Sequence, residues 1–306
     1  MEGDLILYDW LSFSAKKHDP YYIVDILGLK EVPWQTIKGA RGYKDRLYFN
    51  CISIHFNGRE DMGVWCEMSG QGCRAFETLS SLEGDKWQAL FSLIVEERMN
   101  ITRLDVAYDD HSGVLDMDEI IQDTRKKEYV SKSDYWEIVE SSKGQTVQFG
   151  SPQSDTLIRI YDKARERNCP AGEHWIRCEL QLRRDRAIAF ANLGLSIGQS
   201  FCGVVINYLR FVDPDGFDSN KWRWPLKQYW GEFLSWASAI RIYEAPGLEY
   251  NFDRCERYVI NQAGNAIDAY IQIRGVNGFL EELHKRPTMR NPKYDRLVEE
   301  YKAFSL

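Results

Sequence analysis

Apolar and polar residues alternate along most of the first two-thirds of the chain, and the spacing turns helical after that. Residues 5–13 (LILYDWLSF) alternate and predict a first strand. Asp19-Pro20 is a helix-start pair, so residues 21–27 predict a short helix. Residues 47–56 (LYFNCISIHF) alternate as one strand, Asn57-Gly58 signals a turn, and residues 63–68 predict its hairpin partner. Residues 69–74 (SGQGCR) read as a glycine-punctuated turn. Trp87, Leu90, Phe91 and Ile94 recur at helical spacing behind Asp85, a capping residue type, which predicts a helix over 85–99. Further strands are expected at 101–109, 133–140, 146–150, 156–163 and 175–182, with helices at 117–126 and 185–193. After Phe211, Asp213-Pro214-Asp215-Gly216 marks a loop. Beyond it, helices are expected at 226–239, 252–274, 277–284 and 291–304. The pattern describes an α+β fold with a central antiparallel β-sheet and packed helices, followed by a mostly helical C-terminal region. It divides the chain into 1–211 and 212–306. No period of 20 to 50 residues repeats, which argues against a solenoid.

Composition narrows the class. Hydrophobic residues make up 44% of the 306 and charged residues 28%, as in ordinary globular proteins. A net charge of −7 argues against broad DNA coating but leaves room for a local basic groove. Such clusters exist: Arg159, Lys163, Arg165 and Arg167, then Arg177, Arg183, Arg184 and Arg186. Trp222, Trp224, Trp230 and Trp236 crowd the start of the C-terminal region; packing is the default reading for most of them. The 7 Cys are odd in number and show no CxxC spacing, which suggests reduced thiols. Asp4 and Asp9 interrupt the apolar N-terminus, so no signal-peptide layout is present and no run approaches a membrane span. A cytoplasmic protein with no membrane partner is expected.

The chemistry-bearing residues follow from the same alternation. In residues 150–167 (GSPQSDTLIRIYDKARER), Ile158 and Ile160 face one way, while Arg159, Tyr161 and Lys163 share the other face. A phenol flanked by cations suits attack on a phosphodiester, although most tyrosines simply pack or hydrogen-bond. In 103–109, Arg103, Asp105 and Asp109 oppose Leu104 and Val106; in 177–182, Arg177, Glu179 and Gln181 oppose Cys178, Leu180 and Leu182. Carboxylates in the middle of such strands need a partner. Either Arg103 pairs with Glu179 and Arg177 with Asp105, or Asp105 and Glu179 hold a hard divalent cation. His55 alternates onto the polar face of its strand, within reach of such a cation; His174 reads as structural. The glycines of SGQGCR either let backbone approach a ligand, with Gln71 and Arg74 making contacts, or only allow a turn with positive φ.

Four segments in order are SGQGCRAFE (69–77), RLDVAYDD (103–110), GSPQSDTLIRIYDKARE (150–166) and EHWIRCELQLRRD (173–185). Together they resemble the Rep_trans family of replication initiation factors, which includes rolling-circle plasmid and phage initiators and conjugative-element relaxases. QYWGEFLSW resembles the Trp-rich C-terminal region of its phage-type members. The resemblance implies a nicking-joining catalytic domain at 1–211, distantly like the HUH endonucleases but without their paired histidines, and a helical Trp-rich region at 212–306. It implies Tyr161 as nucleophile, assisted by Lys163 and Arg159, which hold the phosphate or lower the phenol's pKa. Asp105 and Glu179 are implied as ligands of Mg²⁺ or Mn²⁺. Arg74, Gln71, Arg177 and Arg165 are expected on DNA. Some initiators carry a second Glu where this chain has Gln181, which costs the site one negative charge. Conjugative relaxases of this group often carry an N-terminal helix-turn-helix, which is not expected ahead of Leu5. The implied partners are single-stranded or hairpin origin DNA, with a host helicase and a second copy of the chain as further candidates. Three alternatives stay open: a relaxase with the same chemistry, an inactive origin-binding protein, and an interaction module whose carboxylates are all salt-bridged.

Overall fold

The computed structural model describes residues 3–142, 144–239, 259 and 264–285. Backbone contacts divide the chain into Met1–Ala245 and Pro246–Leu306. In the first unit the elements run β1 (Leu5–Ala15), α1 (Pro20–Ile26), β2 (Gln35–Lys38), β3 (Asp45–Phe49), β4 (Ile52–Phe56), β5 (Val64–Ser69), α2 (Gly70–Leu79), α3 (Lys86–Glu96) and β6 (Asn100–Asp110). Then follow α4 (Met117–Lys126), β7 (Tyr129–Ser131), β8 (Trp136–Ser141), β9 (Gly144–Phe149), β10 (Thr156–Asp162), α5 (Lys163–Glu166) and β11 (Ile176–Arg183). The unit closes with α6 (Arg184–Ala191), α7 (Ile197–Tyr208), β12 (Leu209–Phe211) and α8 (Gln228–Ala239).

Ten strands form one sheet in the order β2-β3-β4-β5-β1-β6-β11-β10-β9-β8, and β12 pairs with β7 in a small second one. Every pairing is antiparallel. This is the expected α+β architecture. Alternation sends Leu11, Phe13, Leu104, Val106, Ile158, Ile160, Leu180 and Leu182 to one face, where they are wholly or almost wholly buried in a core shared with residues of α2, α3, α6, α7 and α8. Helix starts follow capping chemistry: Asp19, Asp85 and Asp116 each accept backbone N–H bonds at the N-termini of α1, α3 and α4.

The alternating run at 47–56 is two strands, not one. Asn50 and Cys51 both take positive φ (40° and 65°) and reverse the chain between β3 and β4. Two consecutive residues with positive φ suit the twist of a two-residue hairpin. The signal was hidden because Cys is not a turn-forming residue type. Residues 69–74 are likewise not a turn but the start of α2. Neither Gly70 nor Gly72 has positive φ; a Cβ on Gly72 would stand 2.4 Å from the Cys51 carbonyl oxygen, and one on Gly70 would stand 2.7 Å from Asp9. These glycines let the helix press against the β3–β4 turn and the end of β1. Helix α7 and strand β7 were not anticipated. The α7 sequence IGQSFCGVVINY lacks charge and carries two glycines, so its period is weak; Ser196 caps it, and Cys202 Sγ donates to Leu234 O on α8 at 3.2 Å.

Trp230 is fully buried against Phe211 and Phe233, whereas Trp222 and Trp236 are partly exposed. Because α8 belongs to the first unit, the backbone division falls later than the change in composition at Phe211. In the second unit, α9 (Gly264–His284) is broken at Gly275 (φ 75°, ψ 164°), close to the interruption expected between 274 and 277. Residues 252–258 and 260–263 of the helix expected at 252–274, the helix expected at 291–304, and Cys255 all lie outside the described residues. No described helix is long and apolar enough to cross a membrane.

Candidate active site

Register places the chemistry on the face of the sheet opposite the core. Asp105 of β6 stands across from Gln181 of β11, Glu179 across from Arg159 of β10, and Tyr161 across from Arg177. Directly paired residues of an antiparallel sheet share a face. Asp105, Glu179, Gln181, Arg159 and Tyr161 therefore converge, although up to 76 positions separate them in the chain. Asp105, Glu179, Arg159 and Tyr161 open into a cleft of about 620 Å³, lined also by Asp9 and Trp10 of β1, Ser69 to Gln71 at the start of α2, and Lys163 and Glu166 of α5; Gln181 is buried behind it and is not part of the lining.

Within the cleft the Tyr161 hydroxyl donates to Glu179 Oε2 at 3.2 Å, and Lys163 Nζ donates to the same hydroxyl at 3.4 Å. Lys163 is buried and also pairs with Glu166 at 2.5 Å. Arg159 binds the other oxygen of Glu179. Arg103 forks onto both oxygens of Asp105 at 2.5 to 3.1 Å and lies over the Trp10 ring at 4.6 Å. The carboxylates do have arginine partners, but not the expected ones. Arg159, from the far neighbour strand, takes Glu179, which leaves Arg103 to the acid two residues along its own strand.

The electrostatics run against the expected effect of the cations on the nucleophile. Burial, then the charge of Glu179, pushes the Tyr161 phenol well above its ordinary range, and the nearby Arg177 offsets only part of this. In this state Arg159 and Lys163 do not bring it down. Burial also raises Asp105 to about 6; the Arg103 hydrogen bonds oppose this and Glu179's charge adds to it. Two acids thus crowd one dry site.

Four basic and five acidic side chains line the cleft, so it is not the basic groove expected from the sequence. A DNA phosphate entering it meets a surplus of carboxylate. A divalent cation between Asp105 and Glu179 removes that conflict. Gln181 is 4% exposed and its Nε2 has no hydrogen-bond partner, so its amide is open to rotation toward a cation. Two carboxylates and an amide oxygen form a hard donor set suited to Mg²⁺ or Mn²⁺. Among the described residues no group of three or more His, Cys, Asp or Glu is placed to hold a metal ion.

Other expected contacts fall differently. Gln71 lines the cleft and accepts from Cys51 Sγ at 3.3 Å. Arg74 points away from it, donating to Tyr8 O and pairing with Glu77, both at 2.6 Å. Arg165 is exposed beside Asp162 at 3.2 Å and is not part of the lining. Arg177, expected on DNA, is 4% exposed and spends its guanidinium on Asp109 (2.6 and 2.7 Å) and Asp9 (2.9 Å), so it holds β11, β6 and β1 together. Arg177→Ala strands Asp109 as a buried unpaired charge. It is expected to cost about 3–5 kcal/mol in denaturant unfolding, and a loss under about 1 kcal/mol would remove this role. His55 cannot reach the site, because β4 is three strands from β6, about 14 Å. It is buried against Trp65 at 5.0 Å. His174 is structural as expected, its Nε2 3.1 Å from the buried Asp110. Asp9, Trp10 and Glu166 were not anticipated in the lining, since nothing local distinguishes them.

The ten-stranded antiparallel sheet with its packed helices, carrying a tyrosine, two acids and a lysine in one cleft, is the fold of a rolling-circle initiator of HUH-like type, as comparison with known proteins shows for the fold. Residues 99–283 match the family described as Replication initiation factor (Rep_trans), and residues 5–93 match the Rolling Circle replication initiation protein N-terminal domain. The chain belongs to this family of rolling-circle initiators and relaxases. The Rolling Circle Replication Initiator Protein from Geobacillus stearothermophilus is 32% identical with a TM-score of 0.72, covering 79% of this chain and 99% of that one. A Bacillus subtilis (strain 168) protein carrying the name DNA relaxase NicK is 29% identical over 270 residues, 82% of this chain and 76% of its own.

Proposed function

We propose that this protein nicks and rejoins one DNA strand at a replication origin by tyrosine transesterification, initiating rolling-circle replication. The observation that carries this reading is the Tyr161 hydroxyl, held between Glu179 Oε2 and Lys163 Nζ in a cleft beside a second buried acid. Tyr161 Oη attacks the scissile phosphorus, and the phosphorus–O3′ bond breaks. A 5′-phosphotyrosyl enzyme results, the departing 3′-oxygen takes a proton from water to become a free 3′-hydroxyl, and the retained ester lets a 3′-hydroxyl reverse the step and seal a strand. The phenol is protonated at neutral pH, so its proton has to leave as the bond forms. Glu179 is the acceptor already in place, and Lys163 steadies the growing negative charge on Oη. Asp105, Glu179 and Gln181 would hold the divalent metal, which when bound polarises a non-bridging phosphate oxygen and offsets the crowded acids. Ser69, Gly70 and Gln71 at the start of α2 line the same cleft, and Ser69 makes no side-chain cap there, so a helix N-terminus borders the place proposed for the phosphate.

All of these residues belong to 1–211, which we assign as the nicking-joining part; 212–306 is assigned no chemistry. The 29% identity to the relaxase favours a second reading, the same reaction used to start conjugative transfer. The test is mass spectrometry of the protein after incubation with single-stranded DNA from its native replicon and Mn²⁺. A peptide containing Tyr161 that carries a 5′-linked nucleotide is expected. An adduct on any other residue, or none, overturns the proposal.

A further inference from the structure

The cleft occupies only part of an open sheet face. Register carries that face outward from β6. Trp10 of β1 stands across from Asp105 and Ser69, Ser14 across from Trp65 of β5, Trp65 across from His55 of β4, His55 across from Arg46 of β3, and Ser53 across from Tyr48. Three aromatic rings on this face are partly exposed, and each carries an arginine: Arg103 over Trp10 at 4.6 Å, Arg41 over Trp65 at 4.9 Å and Arg46 over Tyr48 at 5.3 Å. They lie on β1, β5 and β3, a row about 14 Å across from first strand to last. Trp10 belongs to the cleft lining, so the row begins where the cleft ends.

We infer that Trp10, Trp65 and Tyr48 are stacking platforms for successive unpaired bases of the DNA strand flanking the scissile phosphate, with Arg103, Arg41 and Arg46 serving its backbone. This inference rests on the nicking reading above for the identity of the strand. Aromatic rings paired with arginines suit single-stranded nucleic acid, because every base has a π-face and every link a phosphate. The platform at Trp65 is fixed from within: its ring packs at 5.0 Å and 27° against the buried His55. Arg41 is 67% exposed and reaches Glu67 only at 4.0 Å, so it can swing from the ring to a phosphate as a base takes its place. The outer part of the row carries Arg41 and Arg46 against the single Glu67 that Arg41 reaches, a net of only one positive charge, so grip there comes mainly from stacking and is weakly salt-dependent. That fits a chain with a net charge of −7.

The test uses the full chain and a labelled oligothymidylate of about 20 nucleotides, since stacking needs no particular base. Trp65→Ala and Tyr48→Ala are each expected to weaken binding about tenfold in fluorescence anisotropy, while Trp65→Phe stays within about threefold. Photocrosslinking of wild-type protein to the same oligonucleotide carrying 5-iododeoxyuridine is expected to label Trp65 or Tyr48. This arm needs no variant, so misfolding cannot mimic the result. Binding by both alanine variants within about twofold of wild type, or crosslinks confined to the cleft, overturns the inference. The Tyr161 adduct is scored separately on native-replicon DNA. Adduct formation without a row of crosslinks refutes the platforms and leaves nicking standing; crosslinks without an adduct refute nicking and leave the platforms.

Discussion

Tyr161→Phe is expected to bind single-stranded origin DNA as the wild type does and to form no covalent adduct, with nicking down by about 10⁴-fold or more. The ring stays, so the Lys163 contact over its face at 5.3 Å is kept. Only the hydroxyl goes, and with it one hydrogen bond to Glu179, worth about 1 kcal/mol of stability. No other tyrosine lines the cleft among the described residues, so no neighbour can substitute as nucleophile. Glu179→Gln offers a companion: Glu179 Oε2 accepts the phenol's hydrogen bond and is the proposed acceptor of its proton, so the variant is expected to lose adduct formation far more than DNA affinity. The measurement is denaturing electrophoresis of labelled DNA after incubation with each variant, beside a native binding titration. An adduct with the phenylalanine variant would take Tyr161 out of the reaction.

Asp105→Asn is expected to stabilise the metal-free protein while abolishing its response to metal. Asp105 is buried, and its folded-state pKa is about 6 against an unfolded value near 3.8. Above pH 6 the folded protein carries a charge that its surroundings resist. The full shift corresponds to about 3 kcal/mol, and loss of the Arg103 fork trims the expected gain to about 2 kcal/mol at pH 7.5. The sign follows from the raised value: as pH falls through 6 toward 4, wild-type Asp105 takes up a proton in the folded state, so the advantage of the variant fades. Adding Mn²⁺ should raise the melting temperature of the wild type and leave that of the variant unmoved. A metal-free variant that melts below wild type and still responds to Mn²⁺ would show that Asp105 is tied only to Arg103.

How far these residues could be read in advance depended on whether the signal was local. The opposition of Asp105 to Leu104 and Val106, and of Tyr161 to Ile158 and Ile160, is a two-residue period, visible in a few positions of chain. Caps such as Asp19 and Asp85 are equally local and were found where expected. The Asn50-Cys51 reversal escaped because alternation continues on both sides of it and the pair lacks a glycine. Helix α2 escaped because glycine argues against helix locally, while its packing on Cys51 O argues for it from 21 positions away. Partner choice escaped for the same reason. That Arg159 takes Glu179 and Arg177 takes Asp109 depends on β11 lying between β6 and β10, and nothing within any one strand states its neighbours.

Periodicity and motif order were therefore enough to find most of the strands, though not β2, β7, β12 or the break between β3 and β4, the face on which Asp105, Glu179 and Tyr161 stand, and the family those segments resemble. Which strands adjoin was settled by long-range pairing in the folded chain, because sheet order is the outcome of burying one apolar face along ten strands at once. From that order came the cleft, the buried arginine staple at 177, the exclusion of His55, the raised pKa values of Tyr161 and Asp105, and the row of aromatic rings leading away from Tyr161. Burial and neighbouring charge set these properties, and neither exists until distant segments meet.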